Sequence, residues 1–514
     1  MANLAVISMN AGKLTSLIDV RSDIEKYASG CRLLDNMIPR SYGPVTRRPG
    51  TKYIAGVEDN DVKSRMVSFI FSATIAYKLE YSDKIINVYF NETLVASGIV
   101  SPYLEADLFQ LQFKQSADVL WVVHPSYAPR KLSRVSATEF TLSTITFDNG
   151  PFIERNDIAE DDGITIAVTG YTIATASTGG GIGTDNFTIT NETDISSLFA
   201  ANQRFYVTNS TGNDDAYTVH ATTATTYVGT TLTVYANEAI SDGTNDGQIM
   251  VDGGTVTLTA SDDVFVTGAL GHIDALFKLT HKRLKTVTKG SKTTTDTGVI
   301  GEAIDVKGAW TFNTMGNWGG TIEIQRNEDG TNWETFRTYV STLSAGVGSR
   351  NVQKSDIEEA DGVQYRINVT AHADSSTITA DFTVDESTQD SIFRISATAS
   401  ALSATATAVI AAPDNTATKR WAEGSWSPAR GYPSAVAFFE ERVVYGFTNS
   451  DQQDIWLSET GRFEDFEAGI KDADSFALTL PTANRGRWLG SLETLAAGTT
   501  GDEWRIRATT LDAA

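Results

Sequence analysis

The sequence has a single cysteine, Cys31, in 514 residues, so no intrachain disulfide forms and no oxidising compartment is required. Cys31 falls on an apolar stripe and reads as a buried small residue rather than a nucleophile. Histidine is nearly as scarce. His124, His220, His272, His281 and His372 are scattered without zinc-ligand spacing, and one thiol rules out a thiolate box. Basic side chains are outnumbered, 41 against 64 acidic, giving a formal charge of −23. A nucleic-acid-binding face needs clustered Lys and Arg, so that class is disfavoured. No window reaches the ~18 uninterrupted apolar residues of a membrane-spanning helix. The N-terminus lacks a basic region followed by an apolar run, so no signal peptide is recognisable, and a soluble product made in the cytoplasm is expected. There is no G-x-S-x-G elbow, Walker-type loop or dinucleotide fingerprint. No cofactor, metal or catalytic residue is therefore assigned.

What is present is β pattern. The hydrophobic fraction of 41% supports real cores. Residues 66–90 read as short strands joined by tight turns, MVSFIF, IAYKLEY and IINVYF. The same layout returns around VLWVVH at 119–124, VVYGF at 443–447 and LAAGTT at 495–500. Each is a strand, short turn, apolar strand, polar loop and amphipathic strand. Repetition of such a unit predicts propeller-like blades, which also hide sheet edges; separate hairpins in ordinary sandwiches are the alternative. The series is broken between about residues 148 and 420. Residues 157–266 are Thr-, Gly- and Asp-rich with short alternations such as FTITN and TLTVYA. Residues 301–385 alternate around Trp310, Trp318 and Trp333, with a turn at Asn327–Gly330, which predicts a jelly-roll or immunoglobulin-like sandwich. Those tryptophans read as core ahead of a sugar platform, because each lies within a strand pattern. Residues 396–418 are low in complexity and read as a short strand and linker.

The expected fold class is thus mainly β: an incomplete propeller-like core of hairpin blades, inserted β-sandwich modules and a short N-terminal helix. The domains divide as 1–150 (helix and first blades), 151–285 (Thr/Gly-rich module and return to the core), 286–395 (sandwich) and 396–514 (linker and further blades). The helix is predicted from Ile24, Tyr27, Cys31, Leu34 and Ile38 on one stripe, with Ser22 and Glu25 at capping-box spacing and Pro39 as the stop. After it come Gly43-Pro44 and Arg47-Arg48-Pro49-Gly50-Thr51, on local physics a solvated loop joining helix to strand. Glycine-rich 179–183 reads as a flexible turn. Of the acidic clusters at 160–162, 213–215 and 242–247, the last resembles a calcium loop but lacks a terminal bidentate Glu, and reads as a polar hairpin turn.

The order of residues from Arg21 to Thr51 resembles the tail nozzle proteins, or tail tubular protein B, of short-tailed bacteriophages. The matching residues are Arg21, Asp23, Ile24, Tyr27, Gly30, Leu34, Asn36, Gly43 and the Arg47–Thr51 run. Further resembling blocks begin at Tyr103 and Gly431, and together they cover about half the chain. The resemblance implies a structural virion protein assembled in the host cytoplasm, not an enzyme. It implies a homohexameric ring at the distal tail tube, a conduit and gate for DNA ejection. Its partners would be itself, an adapter or gatekeeper ring, tail fibres and DNA in transit. Tyr27, Gly30, Asn36, Arg47, Arg48, Pro49, Gly50 and Thr51 would form the interface motif. The sequence ends soon after Trp504, whereas family members continue for further blades. Two other readings stand beside it: a carbohydrate-binding adhesin acting through the sandwich, and a glycan-degrading tail protein, which needs paired carboxylates in a groove.

Overall fold

Strict alternation of side chains across a strand lets one apolar run serve two cores, and that device builds most of this chain. The computed structural model describes residues 8–506 apart from 157–162, 180–182, 242, 283–286, 293–295, 329–331, 345–346, 349, 359, 361–362, 374–376, 385–387, 470–471 and 492. The acidic run at 160–162, Asp242 and the tip of the Asn327–Gly330 turn lie outside the described residues.

The fold is mainly β. A first four-stranded antiparallel meander comprises Arg65–Ile70, Ala76–Ser82, Ile85–Phe90 and Thr93–Val100. A second comprises Gln112–Ser116, Val119–His124, Tyr127–Arg134 and Phe140–Thr144. A third, far along the chain, comprises Ala435–Phe439, Arg442–Gly446, Asp454–Leu457 and Phe476–Thr479. The fourth has Gly486–Ser491, Leu495–Thr499 and Glu503–Ile506. These sheets stack face on face. In Val119–His124, Leu120 and Val122 enter a core with the first meander, while Trp121 and Val123 enter one with the third. Val444 on the third meander then faces Leu489, Leu495 and Ala497 of the fourth, and its neighbours Val443 and Tyr445 face back.

Between the second and third meanders the chain builds a six-stranded sheet from both sides of two insertions. Its order is Ile166–Thr169, Thr255–Ala260, Ser403–Ile410, Thr388–Ser400, Leu276–Lys282, Trp421–Glu423. Thr169 pairs with Thr257, and the chain between them forms a seven-stranded antiparallel sheet spanning residues 171–251. Lys282 pairs with Thr388, and the chain between forms two four-stranded sheets. One holds Val287–Lys292, Ile378–Val384, Gly308–Met315 and Gln353–Glu358; the other Gly298–Asp305, Gln364–His372, Gly320–Asn327 and Glu334–Ser341. That order is an eight-stranded jelly roll. Registers Thr255↔Thr407, Thr407↔Arg394 and Leu276↔Arg394 put both insertions at the same end of the six-stranded sheet. The low-complexity run around 396–410 is a hairpin at the centre of this sheet, with Ala404, Ala406 and Ala408 fully buried.

The N-terminal helix is a correction. Among the described residues there is no α-helix; Ser16–Ile18 and Glu25–Ser29 are 3-10 turns. The second turn is preceded by Ile24 with no side-chain cap, and Gly30 is extended, so the Ser22–Glu25 capping box does not form. The apolar stripe has nothing to lie on: Ile24, Tyr27, Cys31 and Leu34 are only partly buried and Ile38 is exposed. A helix this short persists only with an apolar face covered. Cys31 instead pairs in a two-residue parallel ladder with Lys13.

Candidate functional site

One segment crosses from the second meander to the six-stranded sheet and on its way touches the third. Asp148 N–H donates to Glu464 O at 3.0 Å and Phe466 N–H to Asn149 O at 2.8 Å. Ile153 N–H donates to Glu423 O at 2.9 Å, and Ser425 N–H to Pro151 O at 2.8 Å. Gly150 sits at φ +53°, where a Cβ would lie 2.7 Å from Phe466 O, so only glycine fits. A cavity opens on each side of this staple.

The first cavity, about 260 Å³, is floored by Phe147, Trp426 and Tyr432 and rimmed by Asp274 and Arg394. Phe147 and Trp426 meet edge to face, their centroids 4.8 Å apart. The Trp426 indole N–H is buried with no partner among the described residues. Asp274 takes the left-handed conformation, φ +63°, which its short polar side chain tolerates. Arg394 is placed beside it by the Leu276↔Arg394 register and donates to Phe147 O. Burial pushes the Arg394 guanidinium down against the opposing pull of Asp274 and Asp148. Burial, then Asp274, pushes the Tyr432 phenol up.

Behind the rim, Glu423 is held by the Arg430 guanidinium and by the His272 ring N–H. Arg430 approaches its carboxylate at 2.7 Å through Nε and through Nη2, and His272 Nε2 lies 3.1 Å away. His272 Nδ1 accepts from Val266 N–H at 3.1 Å, so the ring proton sits on Nε2 and points at Glu423. Burial raises the Glu423 carboxyl, but the hydrogen bonds from His272 and Arg430 outweigh it and hold it below the usual range. This cluster locks the wall rather than offering a free acid.

The second cavity, about 370 Å³, is lined by Phe152, Lys278, Asp390, Trp456, Phe466 and Glu467, among others. Lys278 Nζ lies 3.4 Å from Asp390 and 5.0 Å from the Phe152 ring centroid, and Thr280 Oγ1 donates to Asp390 at 2.5 Å. Aromatic floors ringed by a few charged groups suit a ligand with apolar C–H faces and polar edges.

None of the residues of the N-terminal motif lines either cavity. Arg47 pairs with Met37 in a short ladder and is exposed. Arg48 Nε donates to Asn36 Oδ1 at 3.2 Å, with Asn36 at φ +55°. Tyr27 OH accepts from Val20 N–H at 3.1 Å. Leu14 packs over Gly30, where a Cβ would come within 2.3 Å. Pro49, Gly50 and Thr51 are exposed. The acidic turn ending at Gly247 is closed by Thr211 N–H donating to Asp246 at 3.1 Å. Among the described residues no three metal-ligating side chains converge. Phe147, Asp274, Arg394, Trp426 and Tyr432 carried no local sequence signal.

No family model matches the chain. No curated protein matches it either. Among solved structures it aligns with an exo-β-1,3-galactanase from Phanerochaete chrysosporium at 10% identity, over 66% of this chain and 72% of that one, TM-score 0.14. A family 43 arabinoxylan arabinofuranohydrolase from Bacillus subtilis aligns at 12% identity over 63% and 66%, TM-score 0.12. A GH31 α-xylosidase from Xanthomonas citri aligns at 9% identity over 67% and 38%, TM-score 0.10. At such scores these alignments transfer no activity and no catalytic residue. They do correct the tail-nozzle expectation, because the neighbours are glycoside hydrolases rather than phage tail tube proteins. The conduit-and-gate function and the exclusion of enzymatic activity fall with it. The physical reason lies in the signature: Gly-Pro and Arg-Arg-Pro-Gly turns between short strands are turn chemistry that β-rich chains share.

Proposed function

We propose that this protein binds a polysaccharide at the cleft beside residues 147–153. The observation that carries the reading is the convergence of Phe147, Trp426 and Tyr432 with Asp274 and Arg394 in one cavity. Aromatic rings pack against the C–H faces of a sugar, while the carboxylate and guanidinium take its hydroxyls. The neighbouring cavity across the staple suits a second unit of the same chain. The four stacked meanders act as blades of an open, propeller-like array, interrupted by the six-stranded sheet and its two insertions. The jelly roll is an architecture that also serves lectins.

Glycan hydrolysis is the second reading, favoured by Asp390 and Glu467 lining the same cavity. A glycan array probed with the full chain tests binding, and release of reducing ends from its best ligand tests cleavage. Asp274→Ala, at an exposed rim position, is expected to weaken binding by about tenfold or more, the loss of one charge-assisted hydrogen bond. Unchanged affinity in that variant, or no ligand on a broad array, removes the cleft assignment. No release of reducing ends removes the hydrolytic reading, and cleavage that persists in both Asp390→Asn and Glu467→Gln removes these two carboxylates from it.

A further inference from the structure

We infer that the outer face of the first meander holds a binding site for a small organic cation with an apolar body, against residues 54–57. Phe69, Tyr77, Leu79, Tyr81, Ile86 and Val88 fill the core on the inner face of that meander. Alternation therefore turns Met66, Ala76, Lys78, Glu80 and Tyr89 to its other side. The chain crosses this side as a strap pinned at both ends. Lys52 pairs with Glu92, and Glu58 N–H donates to Glu80 Oε1 at 3.1 Å. Among the described residues, no hydrogen bond ties 53–57 to the sheet between those two points. A groove of about 320 Å³ lies there, walled by Ile54, Val57, Met66, Ala76 and Tyr89. Its apolar lining is open to solvent, with Met66 56% and Ile54 49% exposed.

Size and walls suit a small molecule, and the acids around the groove set its charge. Glu80 is almost fully buried, yet the groups that hold it are neutral. Ser64 Oγ donates to Oε1 at 3.3 Å and Tyr89 OH to Oε2 at 2.9 Å, beside the Glu58 N–H. Glu58 in turn accepts from the Asn87 amide at 3.0 Å. Neither carboxylate has a cationic partner among the described residues. The two lysines at the groove are engaged elsewhere. Lys52 answers Glu92, and Lys78 Nζ donates at 2.5 Å to Ser68 Oγ, which does not line the groove. Burial, then Glu80 and Glu58, pushes the Tyr89 phenol up to about 12, as negative charge gathered at this end requires. An ammonium group there is drawn by both carboxylates and by the Tyr89 ring. Its apolar body then lies against Ile54, Val57 and Met66, whereas an anion meets repulsion from the groove and from the acidic chain as a whole. The inference is independent of the glycan reading.

Isothermal titration of the full chain at neutral pH tests it with three probes that share one phenyl body: phenethylammonium, phenethyl alcohol and hydrocinnamate. The ammonium ion is expected to bind about tenfold or more tightly than hydrocinnamate, with the alcohol between them. Ala76→Trp, at an exposed position, fills the groove and is expected to abolish binding, with an unchanged thermal melt confirming the fold. Glu58→Gln combined with Glu80→Gln keeps the acceptor oxygens and is expected to erase the preference for the ammonium ion over the alcohol. Failure of the ammonium ion to bind, or hydrocinnamate binding as tightly, overturns the inference. Binding that Ala76→Trp leaves intact overturns it as well, because the amine then sits in the cleft beside residues 147–153 or elsewhere. So does a charge preference that survives the double variant.

Discussion

Glu423→Ala is expected to destabilise the protein by about 3 kcal/mol, because it strands buried His272 and partly buried Arg430 at once. Arg430 and His272 both point at this carboxylate from distances of 2.7 and 3.1 Å. Glu423 also stands where its backbone carbonyl accepts from Ile153 of the crossing segment, so the loss loosens the staple between the two cavities. Glu423→Gln keeps the acceptor oxygen and is expected to cost less. The two variants differ further in pH dependence. Glu423 is depressed in the folded state, so its contribution is fully present above the unfolded value of about 4.3 and disappears as pH falls through the lower folded value. Denaturant titrations of wild type and Glu423→Gln at a series of pH values give the difference. Their stability gap is expected to be widest at neutral pH and to close under acid. Asp451, whose carboxyl burial and then Asp454 push up, also feels the Glu423 charge, so a smaller opposing change from Asp451 remains within that gap. A gap that stays constant down to acid pH means the Arg430 ion pair and the His272 hydrogen bond do not hold the wall.

The β character of the chain was open to reading because alternation is a local property. VLWVVH reads as a strand without any partner in view; its unbroken apolar run reflects two faces buried against different meanders. The same holds for Trp310 and Trp318, fully buried inside the jelly roll, whereas Trp333 lies half-buried under Arg366, 4.1 Å from the guanidinium carbon. The low-complexity stretch misleads in the other direction. Its alternate alanines look like linker but are what a crowded central sheet requires, where neighbouring layers leave room for a methyl group. The N-terminal stripe has helical period yet no surface to satisfy it, and period alone does not nucleate a helix. The cleft was beyond sequence reasoning for a different reason. Phe147, Asp274, Arg394 and Trp426 lie on four segments separated by both insertions, and only the pairings Leu276↔Arg394 and Phe277↔Glu423 bring them together.

Trp310→Ala is expected to unfold the jelly roll while leaving the rest of the chain standing. Trp310 stacks on Phe382 with centroids 4.8 Å apart and meets Tyr365 at 5.5 Å, so truncation empties the middle of that core. Removal of a buried Trp costs about 3–5 kcal/mol, a large share of the ~5–15 kcal/mol that holds a domain. For a module of this size that lowers its melting temperature by about 12 °C or more. The effect stays local because, among the described residues, the jelly-roll core draws only on residues between 300 and 384. The seven-stranded insertion behaves differently. Tyr206 and Met250 enter the core of the six-stranded sheet, and Tyr206 OH accepts from Gln389 at 2.9 Å, so it melts together with that sheet. Differential scanning calorimetry is expected to resolve a jelly-roll transition that moves in Trp310→Ala and a second one that does not. Trp310→Phe, which keeps the stacking and removes an indole N–H with no partner among the described residues, is expected to move it far less. A single transition shifting as a whole would show instead that the insertion and its supporting sheet unfold as one cooperative unit, despite their separate cores.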